Sequence, residues 1–214
     1  SLQKDSLIFT TGVIPAISTT VKRMTNTGDN IVIPTPVYDM FFHSVENHGR
    51  HVLECPLQCN NQEYTMDFED LEKKLSDPLT TLMILCNPHN PVGKVWTGEE
   101  LQKIGSLCKK HHVVVLSDEI HCDLTLNQAE YVPFAAASAE CAQNSITCIA
   151  ASKAFNLAGF QSAAVYIPNE GIRAVMDRGL NSDEVAEPNC FAIESTVAAL
   201  TKGGEWLDQL NVYL

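Results

Sequence analysis

Leu82-Met83-Ile84-Leu85-Cys86-Asn87-Pro88-His89-Asn90-Pro91-Val92-Gly93 is the stretch from which the fold is read. Its first five residues are apolar without interruption, as expected of a strand buried on both faces. Such strands belong to parallel sheets covered by helices. The double-proline turn that follows is a rigid corner. There Asn90 either offers its amide to a ligand oxygen or caps the turn. A second run of the same kind, Val113-Val114-Val115-Leu116, leads directly into Ser117-Asp118-Glu119. Between the two runs, Thr97-Gly98-Glu99-Glu100 has the form of a capping box. The helix it opens turns Leu101, Ile104 and Cys108 inward and carries Lys109 and Lys110 at its negative end.

The same alternation extends in both directions. Upstream, Leu7-Ile8-Phe9 reads as a short strand, with Gly12 at a bend and a helix over 15–24. Ile31-Val32-Ile33 reads as a strand stopped by Pro34 and Pro36, followed by a helix over 38–47 that closes at Gly49. Val52-Leu53 is another short strand, and Asp67 caps a helix with Phe68, Leu71 and Leu75 on one face. Downstream, 146–151 and 163–167 are strand candidates, and 189–200 and 205–214 read as helices. Strands spaced by helices imply βαβ units and a mainly parallel sheet, an α/β fold.

Composition narrows the function classes. Lys and Arg total 14 against 26 Asp and Glu among 214 residues, a net charge of −12. An acidic chain speaks against a nucleic-acid partner, which calls for a basic face. Hydrophobic residues at 45% and charged residues at 19% are ordinary for a globular protein, so disorder, collagen and coiled coil are excluded. No apolar run approaches the roughly 20 residues that span a bilayer, so no membrane partner is expected. Ser1-Leu2-Gln3-Lys4-Asp5 leads straight into a strand-like run without the form of a signal peptide. The eight scattered cysteines then read as reduced thiols of a cytoplasmic chain rather than a disulfide scaffold. Cys55 and Cys59 form the one close pair. With no second pair at a suitable distance, no metal site is expected.

In an open parallel sheet, ligands sit at the carboxyl ends of the strands. That rule selects four places: Gly12, the turn after Cys86, Asp118 and Lys153. A lysine just after the strand over 146–151 suits a nucleophile, or is a surface lysine in a loop. Asp118 at a strand end suits a cationic ring nitrogen, or is a turn aspartate. Gly12-Val13-Ile14-Pro15 presents backbone N–H groups at a helix start, which suits a phosphate, or is an ordinary strand-to-helix turn. Each feature is weak singly; their joint order is not.

In that order the chain resembles the fold-type I pyridoxal-phosphate enzymes of the aminotransferase class I/II group. Within it, the chain is most similar to the cystathionine β-lyase branch, the MalY/PatB-like C–S lyases. The resemblance is carried by Thr35-Pro36-Val37-Tyr38, by residues 85–93, by Ser117-Asp118-Glu119-Ile120-His121 and by Ser152-Lys153-Ala154-Phe155-Asn156-Leu157-Ala158-Gly159. Asp67-Phe68-Glu69-Asp70-Leu71-Glu72 and Gly204-Glu205-Trp206-Leu207-Asp208 also look like that branch. It implies a three-layer α/β/α fold with a mostly parallel mixed sheet, like the large domain of aspartate aminotransferase. It implies pyridoxal 5'-phosphate as cofactor, an amino acid as substrate and a homodimer with a shared active site. Lys153 would bond the cofactor aldehyde and, once freed, move the Cα proton. Asp118 would keep the ring nitrogen protonated. Asn90 and His121 would reach the ring hydroxyl, Tyr38 would stack on the ring, and Gly12, Val13 and Ile14 would hold the phosphate.

Three departures bear on the phosphate end. Ala150 stands where many relatives carry serine, leaving Ser152 as the only nearby hydroxyl. Gln161 stands where many aminotransferases carry arginine, and Ala154 where the lyases usually show threonine. Members of the group are nearly twice as long. Residues 1–214 are therefore expected to be the cofactor-binding large domain, with a first segment and a C-terminal small domain outside it. Arg23, Arg50, Arg173 and Arg178 match no substrate-carboxylate position, so this stretch alone is expected to be inactive. The function implied is C–S β-elimination on cystathionine or a related sulfur amino acid, giving a thiol, pyruvate and ammonia. The alternatives are an aminotransferase on the same scaffold and a non-catalytic cofactor-binding piece.

Overall fold

A computed structural model describes residues 3–125 and 129–214; Ser1 and Leu2, which begin the opening run read above, lie outside the described residues. The two apolar runs become β6 (Thr80–Cys86) and β7 (Val114–Asp118), paired in parallel with Ile84 opposite Leu116 and Cys86 opposite Asp118. Around them lie β1 (Leu7–Thr10), β2 (Asn30–Thr35), β3 (His51–Pro56), β8 (Ser145–Ile149) and β9 (Ala163–Tyr166). Among the described residues these seven form one sheet, in the order β1-β9-β8-β7-β6-β2-β3. Strands β3, β2, β6, β7 and β8 run parallel, while β9 is antiparallel to both β8 and β1. The expected mostly parallel mixed sheet is therefore the one observed.

Period-two alternation divides the apolar side chains between the faces of the sheet. Ile31, Ile33, Leu82, Ile84 and Leu116 face α1 (Val13–Met24), α2 (Met40–Glu46) and α7 (Glu170–Ser182). Val32, Met83, Leu85 and Val115 face α3 (Phe68–Leu75), α4 (Gly98–Lys110), α5 (Phe134–Ala137) and α6 (Ala139–Gln143). Two buried cores with the sheet between them are the three layers that continuous apolar strands require. Helices α8 (Ala192–Lys202) and α9 (Gly204–Tyr213) follow. Among the described residues no helix is long and apolar enough to cross a membrane.

Both helix starts read from the sequence form as expected. Asp67 accepts from the N–H groups of Glu69 and Asp70 at 3.1 and 3.0 Å. Thr97 Oγ1 accepts from Glu100 N at 3.2 Å, and the Glu100 carboxylate accepts from Thr97 N at 2.8 Å, closing the capping box. Other boundaries move. Strand β2 runs through Pro34 to Thr35 rather than stopping before it. Pro34 lies beyond Asn30–Val32, where β2 pairs with β6, and its neighbour is Cys55 of β3. Its missing N–H leaves no ladder bond to β6 unmade there. Helices α5, α6 and α7 and the hairpin of β4 (Gln58–Asn60) with β5 (Glu63–Thr65) are additions to the elements read from the sequence.

The α4–α6 contact yields a stability test. A Cβ on Gly105 of α4 would collide with the sulfur of Cys141 on α6. Alanine gains about 1 kcal/mol in helix propensity, whereas overpacking a core costs about 1–3 kcal/mol. Gly105→Ala is therefore expected to lower the urea midpoint, and adding Cys141→Ala to restore it. A single variant as stable as the parent would refute the contact.

Candidate active site

Topology brings distant segments to one edge of the sheet. The carboxyl ends of β2, β6, β7 and β8 share that edge because these strands are parallel. Strand β1 ends there too, since Thr10 opposes Ala163 on β9 and Ile149 of β8 opposes Ala164. Antiparallel β9 thus brings its beginning, Gln161-Ser162-Ala163, to the edge where the others end. A cavity of about 240 Å³ opens there.

All nine residues selected from the sequence line this one cavity: Gly12, Val13, Ile14, Tyr38, Asn90, Asp118, His121, Ser152 and Lys153. Each is held by local structure. Gly12 is the N-cap of α1 and Val13 and Ile14 its first turn, with no side chain capping that end. The first intrahelical bond runs from Ala16 N to Gly12 O at 3.2 Å, so the preceding N–H groups have no partner within the helix. Asn90 sits on the 87–93 turn. The turn is held by Cys86, whose Sγ accepts from Asn90 N at 3.4 Å and donates to Pro88 O at 3.2 Å. His89 is buried beneath it and reaches Pro36 O through Nε2 at 2.9 Å, tying the turn to the loop that carries Tyr38. Tyr38 is 40% exposed and meets Phe41 edge-on at 6.1 Å. Lys153 is exposed within a turn closed by Phe155 N to Ala151 O at 3.0 Å and Leu157 N to Ser152 O at 2.9 Å. Trp206 of α9 stacks on Phe155 at 5.9 Å, so this turn is packed from below.

Asp118 is the last residue of β7, and its carboxylate accepts from Ile120 N at 3.1 Å. Burial pushes its carboxyl up to about 7; the neighbouring Glu119 anion adds to the rise, and the Ile120 N–H and the Lys153 cation oppose it. Burial lowers the pKa of His121, and Lys153 lowers it further, so His121 is a neutral imidazole at neutral pH. Among the described residues Lys153 is the one lysine or arginine on the cavity wall. The four arginines weighed above lie elsewhere. Arg23 pairs with Asp183 at 3.1 Å, Arg50 donates to Thr25 O at 2.7 Å, and Arg173 donates to Ile167 O at 2.9 Å. Arg178 is on the exposed side of α7.

One expectation is corrected. Ser152 is not the only hydroxyl on the cavity wall, because Thr11 and Ser162 line it too. Ser162 is remote from the lysine motif's serine position in sequence and arrives through the antiparallel turn into β9. Gln161 lines the cavity as well, in the left-handed conformation with φ of 50°.

The donor set suits pyridoxal 5'-phosphate. A helix start that, among the described residues, no side chain caps suits a phosphate through the N–H groups of Gly12, Val13 and Ile14. A buried carboxylate with a raised pKa is relieved by a cationic ring nitrogen. An exposed lysine amine between them suits an aldehyde.

Comparison with known proteins gives the family to which the chain belongs. Cystathionine beta-lyase PatB of Bacillus subtilis (strain 168) is 48% identical over 210 residues, covering 98% of this chain and 54% of that protein. Protein MalY of Escherichia coli (strain K12) is 32% identical over 215 residues, covering 100% of this chain and 54% of that protein. The structure of cystalysin from Treponema denticola, which contains a pyridoxal 5'-phosphate cofactor, superposes with a TM-score of 0.95 at 35% identity. It is covered to 53% by 98% of this chain. The chain spans about half the length of the curated relatives it matches. The model of the family described as aminotransferase class I and II matches residues 1–202, and the chain belongs to that family.

Proposed function

We propose that residues 1–214 are the cofactor-binding large domain of a pyridoxal-phosphate-dependent C–S β-lyase acting on cystathionine or a related sulfur amino acid. The observation that carries this reading is the convergence of nine residues from five separate segments on one cavity. The similarity to PatB, a cystathionine β-lyase, supports the choice of reaction. The half-length span supports a longer enzyme, and we place the substrate-carboxylate arginine in its other half.

When bound, pyridoxal 5'-phosphate supplies a protonated ring that takes up the electron pair left when the Cα proton departs. The chain's own residues do the rest. The α1 start holds the phosphate through the N–H groups of Gly12, Val13 and Ile14, assisted by the hydroxyls of Ser152, Thr11 and Ser162. Asp118 holds the proton on the ring nitrogen. Asn90 and neutral His121 hydrogen-bond the ring oxygen. Tyr38 covers one ring face. Lys153 would anchor the cofactor, and its amine, when free, would take the proton from the substrate Cα, the thiolate being the leaving group at Cβ. Water then completes the balance, giving thiol, pyruvate and ammonia.

The full-length gene product is expected to make pyruvate and ammonia from cystathionine with no added keto acid. Turnover only with a keto acid acceptor would replace the lyase by an aminotransferase. The 214-residue stretch alone is expected to be inactive. We read the whole enzyme as a cytoplasmic homodimer in which exposed Tyr38 meets the neighbouring subunit. Sedimentation as a monomer would overturn the dimer.

A further inference from the structure

Glu119 has no role in the chemistry above, yet it is the most heavily bonded side chain beside the site. It follows Asp118 directly and is fully buried. Its carboxylate accepts from four groups: Ser117 Oγ at 2.7 Å, Phe134 N at 2.8 Å, Asn87 Nδ2 at 3.3 Å and the Tyr131 hydroxyl. Four converging donors match the acceptor capacity of an ionised carboxylate. Burial pushes its pKa up and the donors oppose that rise.

The bonds also form a knot. Asn87 opens the turn that carries Asn90, and its backbone N–H donates to Asp118 O at 2.8 Å. Its side-chain amide bridges Glu119 and Val132 O, at 3.3 and 3.0 Å. Glu119 N donates to Cys148 O of β8 at 2.9 Å. One residue thereby joins the ends of β6, β7 and β8 to the 131–134 segment. The other titratable groups against the Asp118–Glu119 pair are the thiols of Cys86, Cys122 and Cys148, the Tyr131 phenol, His121 and Lys153. Burial drives the thiols and the phenol toward their neutral forms, and His121 is neutral as well. The charges that remain facing one another are the two carboxylates and Lys153.

We propose that Glu119 is a positioning residue for the cofactor ring. As a fixed buried anion behind Asp118, it keeps that carboxylate selective for a ring with a proton on its nitrogen, and its bond to Asn87 holds the Asn90 turn against the same strand end. The proposal rests on the cofactor reading above.

The test is a binding measurement on full-length apoprotein at pH 8, followed by tryptophan fluorescence. The affinity for pyridoxal 5'-phosphate is divided by that for its 1-deaza analogue, in which carbon replaces the ring nitrogen. Glu119→Gln keeps the shape and removes the charge. It is expected to reduce the wild-type preference for the nitrogen-bearing ring about tenfold, the order of effect that removing a neighbouring buried charge has. Glu119→Asp keeps the charge and shortens the reach, so both affinities fall while the ratio stays near wild type. Tyr131→Phe removes one donor, favours the neutral acid and shifts the ratio in the direction of Glu119→Gln, which serves if the glutamine variant does not fold. An unchanged ratio in Glu119→Gln, or equal losses in the glutamine and aspartate variants, would overturn the proposal and leave the cofactor reading standing. A wild type that binds both rings equally would overturn the Asp118 assignment and this inference together. One that binds neither would overturn the cofactor reading itself.

Discussion

In the full-length gene product, Lys153→Ala is expected to abolish the visible absorbance of the lysine-bound cofactor, roughly 410–430 nm, and to lower turnover by at least about 10³-fold. The size follows from two tasks on one amine. On the proposed reading Lys153 both anchors the cofactor and moves the Cα proton. Proton transfer by a positioned side chain contributes about 10²–10⁴-fold by itself. The loss is separable from misfolding because Lys153 is exposed in its turn. The thermal midpoint of the variant should stay close to wild type, since no buried packing is removed. A second consequence follows from charge. Lys153 lowers the pKa of His121 and opposes the rise at Asp118. Removing the ammonium should therefore move the titration of both groups upward in the apoprotein. Added methylamine should restore part of the turnover by supplying an amine where the side chain was. A visible band that persists in the variant would show that another group holds the cofactor.

The cavity wall was legible in the sequence to the degree that the candidate chemistry is written locally. Lys153, Asp118 and the 87–93 turn each follow a continuous apolar strand, and the strand-end rule selects such places without knowledge of the sheet order. The walls supplied by crossing topology were not legible. Ser162 belongs to the cavity because β9 runs antiparallel, and nothing in the residues 163–167 announces direction. Glu119 looked like part of the Asp118 motif, but its four donors come from positions 87, 117, 131 and 134, which only the fold assembles. Helix α7 had a readable signal in the Asn169 cap and in Ile172, Met176 and Leu180 at four-residue intervals. Exposed Val175 and two glycines broke the apolar stripe and hid it. The β4–β5 hairpin is largely exposed and has no apolar alternation, so no pattern marked it. Pro34 misled for a reason peculiar to its place, a stretch of β2 that has already parted from β6.

Asp118→Asn is expected to move activity and stability in opposite directions. Amide in place of carboxylate cannot hold the ring proton, so the ring loses its capacity to accept electrons and turnover should fall about 10²–10⁴-fold. The stability effect has the other sign. Asp118 is pushed up to about 7 in the folded chain, mainly by burial, against 3.8 for the unconstrained group. Between those two values the folded state binds more protons than the unfolded state, so folding weakens as pH rises through that window. Below about pH 4 both states are protonated and the penalty is absent. Above about pH 7 it is fully present, at about 2–4 kcal/mol. An asparagine carries no such penalty. Full-length Asp118→Asn apoprotein should therefore have a higher urea midpoint than wild type at pH 7.5 and a similar one near pH 4. Cofactor reverses the ordering, because a ligand that binds only the folded state stabilises it, and only the carboxylate gains a cationic partner from the ring. A burdened carboxylate that its ligand relieves is what a site selected for chemistry rather than stability retains. If wild type and Asp118→Asn apoproteins unfold alike across that pH range, Asp118 is not such a group, and the assignment of the ring nitrogen to it falls.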